Sequence, residues 1–244
     1  MASATLSVII PALNEADGLE KTLASAIVPN AGIEVIVADG GSTDATVAIA
    51  RAQGVRVVVH GRAGRAQQMN AGAAVAAGEI LLFLHADTCL PEDYAACVRT
   101  ALVPSDAIAG AFELGIDAPG IGLRCIEWGV WQRSHWLQLP YGDQALFLRA
   151  ADFRALGGFP PLPILEDLEL VRQLRRQGRV AIVPQRVLTS GRRWQEFGIV
   201  RTTLLNQAIL AGRALGVPPA RLARWYCGIR ARQLRLARDR YSST

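Results

Sequence analysis

Four carboxylates and one imidazole stand where they can do chemistry: Asp39, Asp87 with His85 two residues before it, and the adjacent pair Glu166 and Asp167. Asp87 closes the stretch Gly78-Glu79-Ile80-Leu81-Leu82-Phe83-Leu84-His85-Ala86-Asp87, whose five consecutive apolar residues predict a strand buried on both faces inside a parallel sheet. Ligands of open α/β sheets bind at the carboxyl edge, in a crevice lined by strand ends and helix N-termini. An acid on that edge can hold a divalent cation, and the cation a diphosphate. Asp39 ends an earlier strand, directly before Gly40-Gly41-Ser42-Thr43-Asp44. Gly40 and Gly41 allow a tight turn, Ser42 or Thr43 can cap the next helix, and exposed N–H groups at a helix start suit a nucleotide. Glu166 and Asp167 open a helix after Gly157-Gly158-Phe159-Pro160-Pro161. Singly, each acid is equally a helix cap or turn former. Together, strand-end carboxylates at neighbouring crossovers converge on one crevice.

The elements that must position these residues alternate. Leu6 to Ile10 predicts a strand and Glu15 to Ile27 a helix with apolar residues at Leu19, Leu23, Ala26 and Ile27. Glu34 to Asp39 is the next strand, followed by a helix to about Gln53, then a strand over Val55 to Val59 and an alanine-rich helix ending near Gly78. The Asp87 strand follows, then a helix from Pro91 to about Leu102. Such alternation predicts a parallel sheet wound with right-handed crossovers. Beyond it, Ala107 to Ile116 is a strand, Ile121 to Trp136 an aromatic-rich helix, Gln144 to Arg149 a strand, and Ile164 to Arg176 an amphipathic helix. Val180 to Val183 and Arg186 to Leu188 are short strands, and the pattern is helical from Phe197, broken at Gly216-Val217-Pro218-Pro219.

A length of 244 residues with 51% apolar content is ample for a continuous core and excludes disorder. All basic residues except Lys21 are arginine, and the formal charge is +5. Guanidinium pairs well with phosphate, but arginine abundance equally reflects genomic base composition. Cys89, Cys97, Cys125 and Cys227 have no C-x-x-C spacing and fit reduced thiols of a cytosolic protein. Met1 to Thr5 leads into a strand without the features of a signal peptide, and no stretch reaches the ~20 apolar residues of a spanning helix. A cytoplasmic location is expected, with peripheral contact at the inner face of the membrane left open.

In order and separation, the motifs resemble the inverting nucleotide-sugar glycosyltransferases of family 2. The resemblance rests on Ser7-Val8-Ile9-Ile10-Pro11-Ala12-Leu13-Asn14-Glu15, on Val37 to Asp44, on Asn70-Ala71-Gly72 ahead of the Gly78 to Asp87 stretch, and on Glu166-Asp167-Leu168-Glu169-Leu170. It spans residues 5 to about 190. It implies the α/β GT-A fold, with a Rossmann-like, mostly parallel sheet flanked by helices, and a nucleoside-diphosphate sugar as donor. Pro11, Leu13 and Glu15 match the first nucleotide-contacting loop and Asp39 the acid that reads the base. Arg65 lies where similar enzymes place a basic residue near the nucleotide, and Arg62 is a lesser candidate. Asp87 matches the last residue of the D-x-D motif that coordinates Mn²⁺ or Mg²⁺ on the diphosphate. Asp167 matches the general base that deprotonates the acceptor hydroxyl, with Glu166 beside it. A cation stabilises the charge gathered by the leaving diphosphate, and inversion needs one base on the opposite face of the sugar.

This chain has His85-Ala86-Asp87 where D-x-D is usual, and all three are candidates to bind the donor. Imidazole suits Mn²⁺ better than Mg²⁺, and strand alternation places residues 85 and 87 on one side, so metal ligand, donor contact and structural roles are all open to His85. Together with Tyr141-Gly142-Asp143-Gln144, this pattern resembles a bacterial subgroup of these transferases. Asp143 and Gln144 are candidates to face donor sugar or acceptor, or to begin a strand. Arg192 and Arg193 can close over a diphosphate or form a solvated turn.

Trp128, Trp131, Trp136 and Tyr141 suit a sugar platform or a membrane interface, although helical spacing of aromatics more often marks core. Beyond Pro219, Arg221, Arg224, Arg230, Arg232, Arg235, Arg238 and Arg240 interleave with Leu222, Trp225, Tyr226, Ile229 and Leu236. That pattern suits an anionic membrane presenting a lipid-linked acceptor, packing on the sheet, or a second subunit in a homodimer. Nucleic acid is disfavoured for want of a binding module. The expected layout is a transferase domain over residues 1–194 and a basic helical extension over 195–244. A sugar-1-phosphate nucleotidyltransferase would carry a Gly-rich loop with a basic residue where Pro11 to Glu15 stand, and a dinucleotide-dependent dehydrogenase would carry G-x-G-x-x-G. A non-catalytic nucleotide-sugar-binding or membrane-interaction protein is disfavoured by Asp87 and Asp167 together and kept in view by His85.

Overall fold

The computed structural model describes residues 5–29, 31–61 and 64–228. Its first part alternates as β1 (Leu6–Ala12), α1 (Ala16–Ala26), β2 (Ile33–Asp39), α2 (Thr46–Ala52), β3 (Arg56–Val59), α3 (Arg65–Val75) and β4 (Ile80–Phe83). β5 (Thr88–Cys89), α4 (Tyr94–Ala101), β6 (Ala107–Asp117), α5 (Ile121–Leu137) and β7 (Phe147–Arg149) follow. The chain then runs through α6 (Ala150–Ala155), α7 (Glu166–Leu174), β8 (Arg179–Ser190), α8 (Arg192–Phe197) and α9 (Ile199–Ala214), and residues 219–228 are helical.

The strands form one eight-stranded sheet in the order β3-β2-β1-β4-β7-β6-β8-β5. β1 pairs in parallel with β2 and β4, and β6 with β8, whereas β7 and β5 run antiparallel to their neighbours. The expected mostly parallel sheet is therefore present. Every residue of β1 is buried, because helices cover both faces of the sheet. Alternation sends Val8 and Ile10 to one core with Leu19, Leu23 and Leu82, and Ile9 to the other with Leu81, Phe83 and Met69. Each fully buried Leu or Ile contributes about 1.5–3 kcal/mol. Gly72 lets α3 lie close against β1: a Cβ there would meet Ile9 Cγ2 at 2.5 Å.

Several expectations shift. β4 ends at Phe83, and His85 to Asp87 form a turn in which the Thr88 N–H donates to the His85 carbonyl at 3.1 Å. Strand alternation therefore does not govern residues 85 and 87. The two short strands expected over 180–188 are one strand, β8, with an irregularity where the register jumps from Phe112↔Val183 to Glu113↔Arg186. Pro184, which has no N–H to donate, sits at that break. The strand expected from Gln144 begins only at Phe147, because residues 142–144 form a short 3₁₀ turn. α6 and α8 are each six residues, too short for a helical period to show. Trp128 and Trp136 are 65% and 76% exposed, against the core placement that their helical spacing favours.

Candidate active site

The floor of the site is built where β1 and β2 end together, with Ala12 beside Asp39. The Gly40 N–H donates to the Ala12 carbonyl at 2.9 Å, and Gln68 of α3 donates its amide to the carbonyls of Ala12 at 2.6 Å and Ala38 at 3.0 Å. Asp39 is 1% exposed. Its Oδ2 accepts the N–H groups of Gly41 at 2.8 Å and Ser42 at 3.0 Å, while Oδ1 is buried with no partner among the described residues. An unpaired buried acceptor of this kind costs about 1–3 kcal/mol until something donates to it.

Ser42 and Thr43 do not cap α2 as the sequence suggested. The Thr46 N–H bonds instead to Asp44 Oδ1 at 3.0 Å, and Asp44 Oδ2 accepts the first N–H of α1, from Ala16, at 3.1 Å. Ser42 Oγ accepts the Asn14 N–H at 2.9 Å and the Thr43 N–H donates to Asn14 Oδ1 at 2.9 Å. Asn14 has φ 55°, a left-handed conformation that asparagine tolerates, and these bonds fasten the loop after β1 to the loop after β2.

Above this floor lies a cavity of about 590 Å³ lined by Pro11, Leu13, Glu15, Arg65, His85 and Asp87 and, from later in the chain, by Asp143, Glu166, Asp167 and Arg193. Arg65, the first residue of α3, reaches across to α7, where its Nε donates to Oε1 of Glu166, itself 1% exposed. Arg65 Nη1 lies 3.4 Å from His85 Nε2, a contact that needs Nε2 to be the unprotonated ring nitrogen. Asp167 Oδ2 accepts the Gly142 N–H at 2.7 Å and Oδ1 its neighbour Leu168's N–H at 2.8 Å. Leu165, just before the acidic pair, has φ 63°, a strained conformation held by the surrounding packing.

The charges follow from these contacts. Burial alone would raise Asp167, but the Arg65 guanidinium and the two N–H groups hold it below the ordinary carboxylate range. Burial and Arg65 push His85 down, so its imidazole is neutral near pH 7. Burial pushes the Asp143 carboxyl up, and its Oδ1 has no partner among the described residues. Arg192 Nη2 bonds Glu15 at 2.8 Å and stands 3.6 Å from Asp87 Oδ2.

Not every expected residue faces the cavity. Asp39 lies beneath the wall, and Ala86 is buried with its carbonyl accepting from Thr22 Oγ1 at 2.8 Å. Gln144 is fully buried: Oε1 accepts from Arg133, Ser134 and the Tyr141 N–H, and Nε2 donates to the Phe112 carbonyl at 2.8 Å. It brackets the turn that presents Gly142 and Asp143. Arg62 lies outside the described residues, as do the arginines from 230 to 240. Gln68 escaped sequence reasoning, although a glutamine pair inside an alanine-rich helix was a visible signal.

Among the described residues no group of three or more His, Cys, Asp and Glu side chains is placed to hold a metal ion. Among the described residues the turn after β4 offers Asp87 with a neutral His85. Such a donor set fits a cation that completes its shell from diphosphate oxygens and water rather than from a protein cage.

An uncharacterised glycosyltransferase of Mycobacterium bovis is 37% identical over 87 residues, covering 36% of this chain and 38% of the relative. A PGL/p-HBAD biosynthesis glycosyltransferase of M. bovis BCG is 37% identical over 121 residues, covering 45% of this chain and 47% of that protein. The matches thus span less than half the length of these relatives. Among solved structures, a mannosyltransferase from Pyrobaculum calidifontis in complex with GDP-Man and Mn²⁺ superposes with a TM-score of 0.62 at 20% identity, over 86% of this chain and 65% of that one. That likeness shows the fold, the GT-A arrangement that the motifs implied. The family model described as glycosyl transferase family 2 matches residues 7–146, which takes in the β1 loop, Asp39, Arg65 and the His85 to Asp87 turn. With more than half of its length under that model, the chain belongs to glycosyl transferase family 2.

Proposed function

We propose that this protein transfers a sugar, with inversion, from a nucleoside-diphosphate sugar to an acceptor hydroxyl. The observation that carries the reading is Asp167: an ionised carboxylate in the same cavity as Arg65 and Asp87, oriented by the Gly142 and Leu168 N–H groups. Those two bonds leave further lone pairs on both oxygens, so Asp167 can accept the hydroxyl proton as the oxygen attacks the anomeric carbon. Asp39 Oδ1, buried without a partner beneath the cavity wall, would accept an N–H of the donor's base on a shift of the loop that covers it. Arg192 and Arg193 add positive charge on the side of Asp87, where the leaving diphosphate would lie. Asp87, with His85, would hold Mn²⁺ or Mg²⁺, whose charge offsets that of the leaving group when bound.

Residues 1–194 form the transferase domain in this reading and 195–244 its extension. Arg213 of α9 pairs with Glu169 of α7 at 2.8 Å, which fastens the described part of that extension to the same body. No helix among the described residues is long and apolar enough to cross a membrane. The decisive experiment compares Asp167→Asn with the parent for sugar transfer and for nucleoside-diphosphate binding. Transfer should fall by at least about 100-fold while binding persists. Transfer at the parent rate would overturn the base assignment.

A further inference from the structure

The cavity has a second wall, which differs chemically from the charged floor. It is formed by Ile164 and Leu165 ahead of α7, Trp194 of α8, Ile209 and Leu210 of α9, and Tyr226 of the helix over 219–228. Asn206, Ile209 and Leu210 stand at i, i+3 and i+4, so α9 turns one face to the cavity. That face carries no charge, although arginine abounds in this part of the chain. Arg213 turns to Glu169, while Arg201, Arg221 and Arg224 are exposed and none of the four lines the cavity. A wall built to recognise a polyol or an anionic acceptor would present several of these donors.

Among the described residues the polar groups of this wall are the Asn206 amide, the Tyr226 hydroxyl, the Cys227 thiol and the Trp194 indole, with Arg193 lining the cavity beside Trp194. The Trp194 Nε1–H is buried without a partner among the described residues. A buried N–H of this kind costs free energy unless a ligand oxygen satisfies it. Asp167 stands at the seam of the two walls, since the Arg65 to Glu166 pair joins α3 of the floor to α7.

We infer that the acceptor is an alcohol or phenol with an uncharged apolar body, seated on the wall of Ile164, Leu165, Trp194, Ile209 and Leu210 with its hydroxyl at Asp167. This rests on the transferase reading above and names the acceptor class for that site. An apolar body excludes water around the hydroxyl and contributes roughly 25 cal/mol per Å² of apolar surface buried. It thereby selects against water as the competing nucleophile.

The test uses the full chain and two probes, 4-hydroxybiphenyl and myo-inositol, with binding read by saturation-transfer NMR. 4-Hydroxybiphenyl should bind, myo-inositol should not, and Leu210→Glu should weaken the biphenyl at least about tenfold, because the bound ring would desolvate a carboxylate. Leu210 is only partly buried, and circular dichroism checks that the variant is folded. If Leu210→Glu does not fold, Leu210→Ala decides, with a loss of about threefold or more. Binding of myo-inositol in preference to the biphenyl, or biphenyl binding indifferent to Leu210, overturns the inference. Binding of UDP and GDP to the parent chain in the presence of Mn²⁺ is measured alongside. If neither nucleotide binds, the transferase reading fails and carries the acceptor inference down with it. If one binds and the biphenyl does not, only the acceptor inference fails.

Discussion

Replacing Arg65 by methionine should leave the fold standing and move the acid limb of activity upward in pH. The side chain does two things at once: it pairs with Glu166, and it holds Asp167 below the ordinary carboxylate value of 3.8. The first can be sized from burial. Glu166 is almost fully enclosed while the Arg65 side chain is 41% exposed, so the loss lies below the ~3–5 kcal/mol of breaking a wholly buried pair; about 2–3 kcal/mol is expected. For a chain of this length that lowers the melting temperature by roughly 4–12 °C.

The second effect has a definite sign. A carboxylate with a depressed folded pKa contributes stability that is complete above its unfolded value and is lost as pH falls through the folded one. For Asp167 that window lies below 3.8, so neutral-pH stability does not depend on its titration. Without Arg65, burial is opposed by the Gly142 and Leu168 N–H groups and by His85, and the Asp167 pKa climbs. Each unit of climb removes about tenfold of the ionised base on the acid side, or about 1.4 kcal/mol. The assay is kcat/KM from pH 4 to 8 with a fixed divalent concentration. An acid limb that stays put in Arg65→Met would refute both the coupling and the assignment of Asp167 as the base.

Asp39→Ala removes the unpartnered Oδ1 and should weaken nucleoside-diphosphate binding about 10- to 100-fold by calorimetry, the worth of one hydrogen bond to a charged group. Gly142→Ala places a Cβ 3.0 Å from His85 Nε2 and 3.1 Å from Asp167 Oδ2. It should lower kcat several-fold with little change in nucleotide affinity, and an unchanged kcat would show that the close packing of Gly142 does not set the position of the Asp167 carboxylate. Gln144→Leu strips partners from Arg133, Ser134, Tyr141 and the Phe112 carbonyl, and should cost about 2–4 kcal/mol in urea unfolding. A destabilisation under about 1 kcal/mol would place Gln144 outside the support of the site.

The parallel half of the sheet was legible because its signals are local. Unbroken apolar runs such as Val8 to Ile10 and Ile80 to Leu84 mark buried strands, and Asp39 closes β2 while Asp87 lies in the turn after β4. Where local signals ran out, so did the reading. Gln144 reads from sequence as a residue facing donor or acceptor, or as the start of a strand, but its four bonds reach Phe112, Arg133, Ser134 and Tyr141, and only packing decides that its turn is buried. The solvent-facing tryptophans of α5 failed in the opposite direction. Their helical spacing is that of a core stripe, yet the buried face of α5 is carried by Leu123, Glu127 and Ser134, so periodicity identified a face without saying which side of it met the sheet.

The site shows the same limit at longer range. Sequence motifs find Arg65 at a helix start and Glu166 at another, but their pairing joins positions 101 residues apart, and no spacing rule spans that distance. That contact changes the roles of its neighbours. It places a guanidinium beside His85, which reinforces burial in keeping the imidazole neutral and therefore able to accept from Arg65 or to ligate a cation, and beside Asp167, which keeps the carboxylate charged. A histidine at position 85 then has a physical consequence. An aspartate there would add a second negative charge next to Asp167 and compete for the same guanidinium, whereas a neutral imidazole leaves Arg65 to serve Glu166 and Asp167. Asp167 and the histidine turn are thus one electrostatic unit, assembled by tertiary contact from residues that each motif could only nominate.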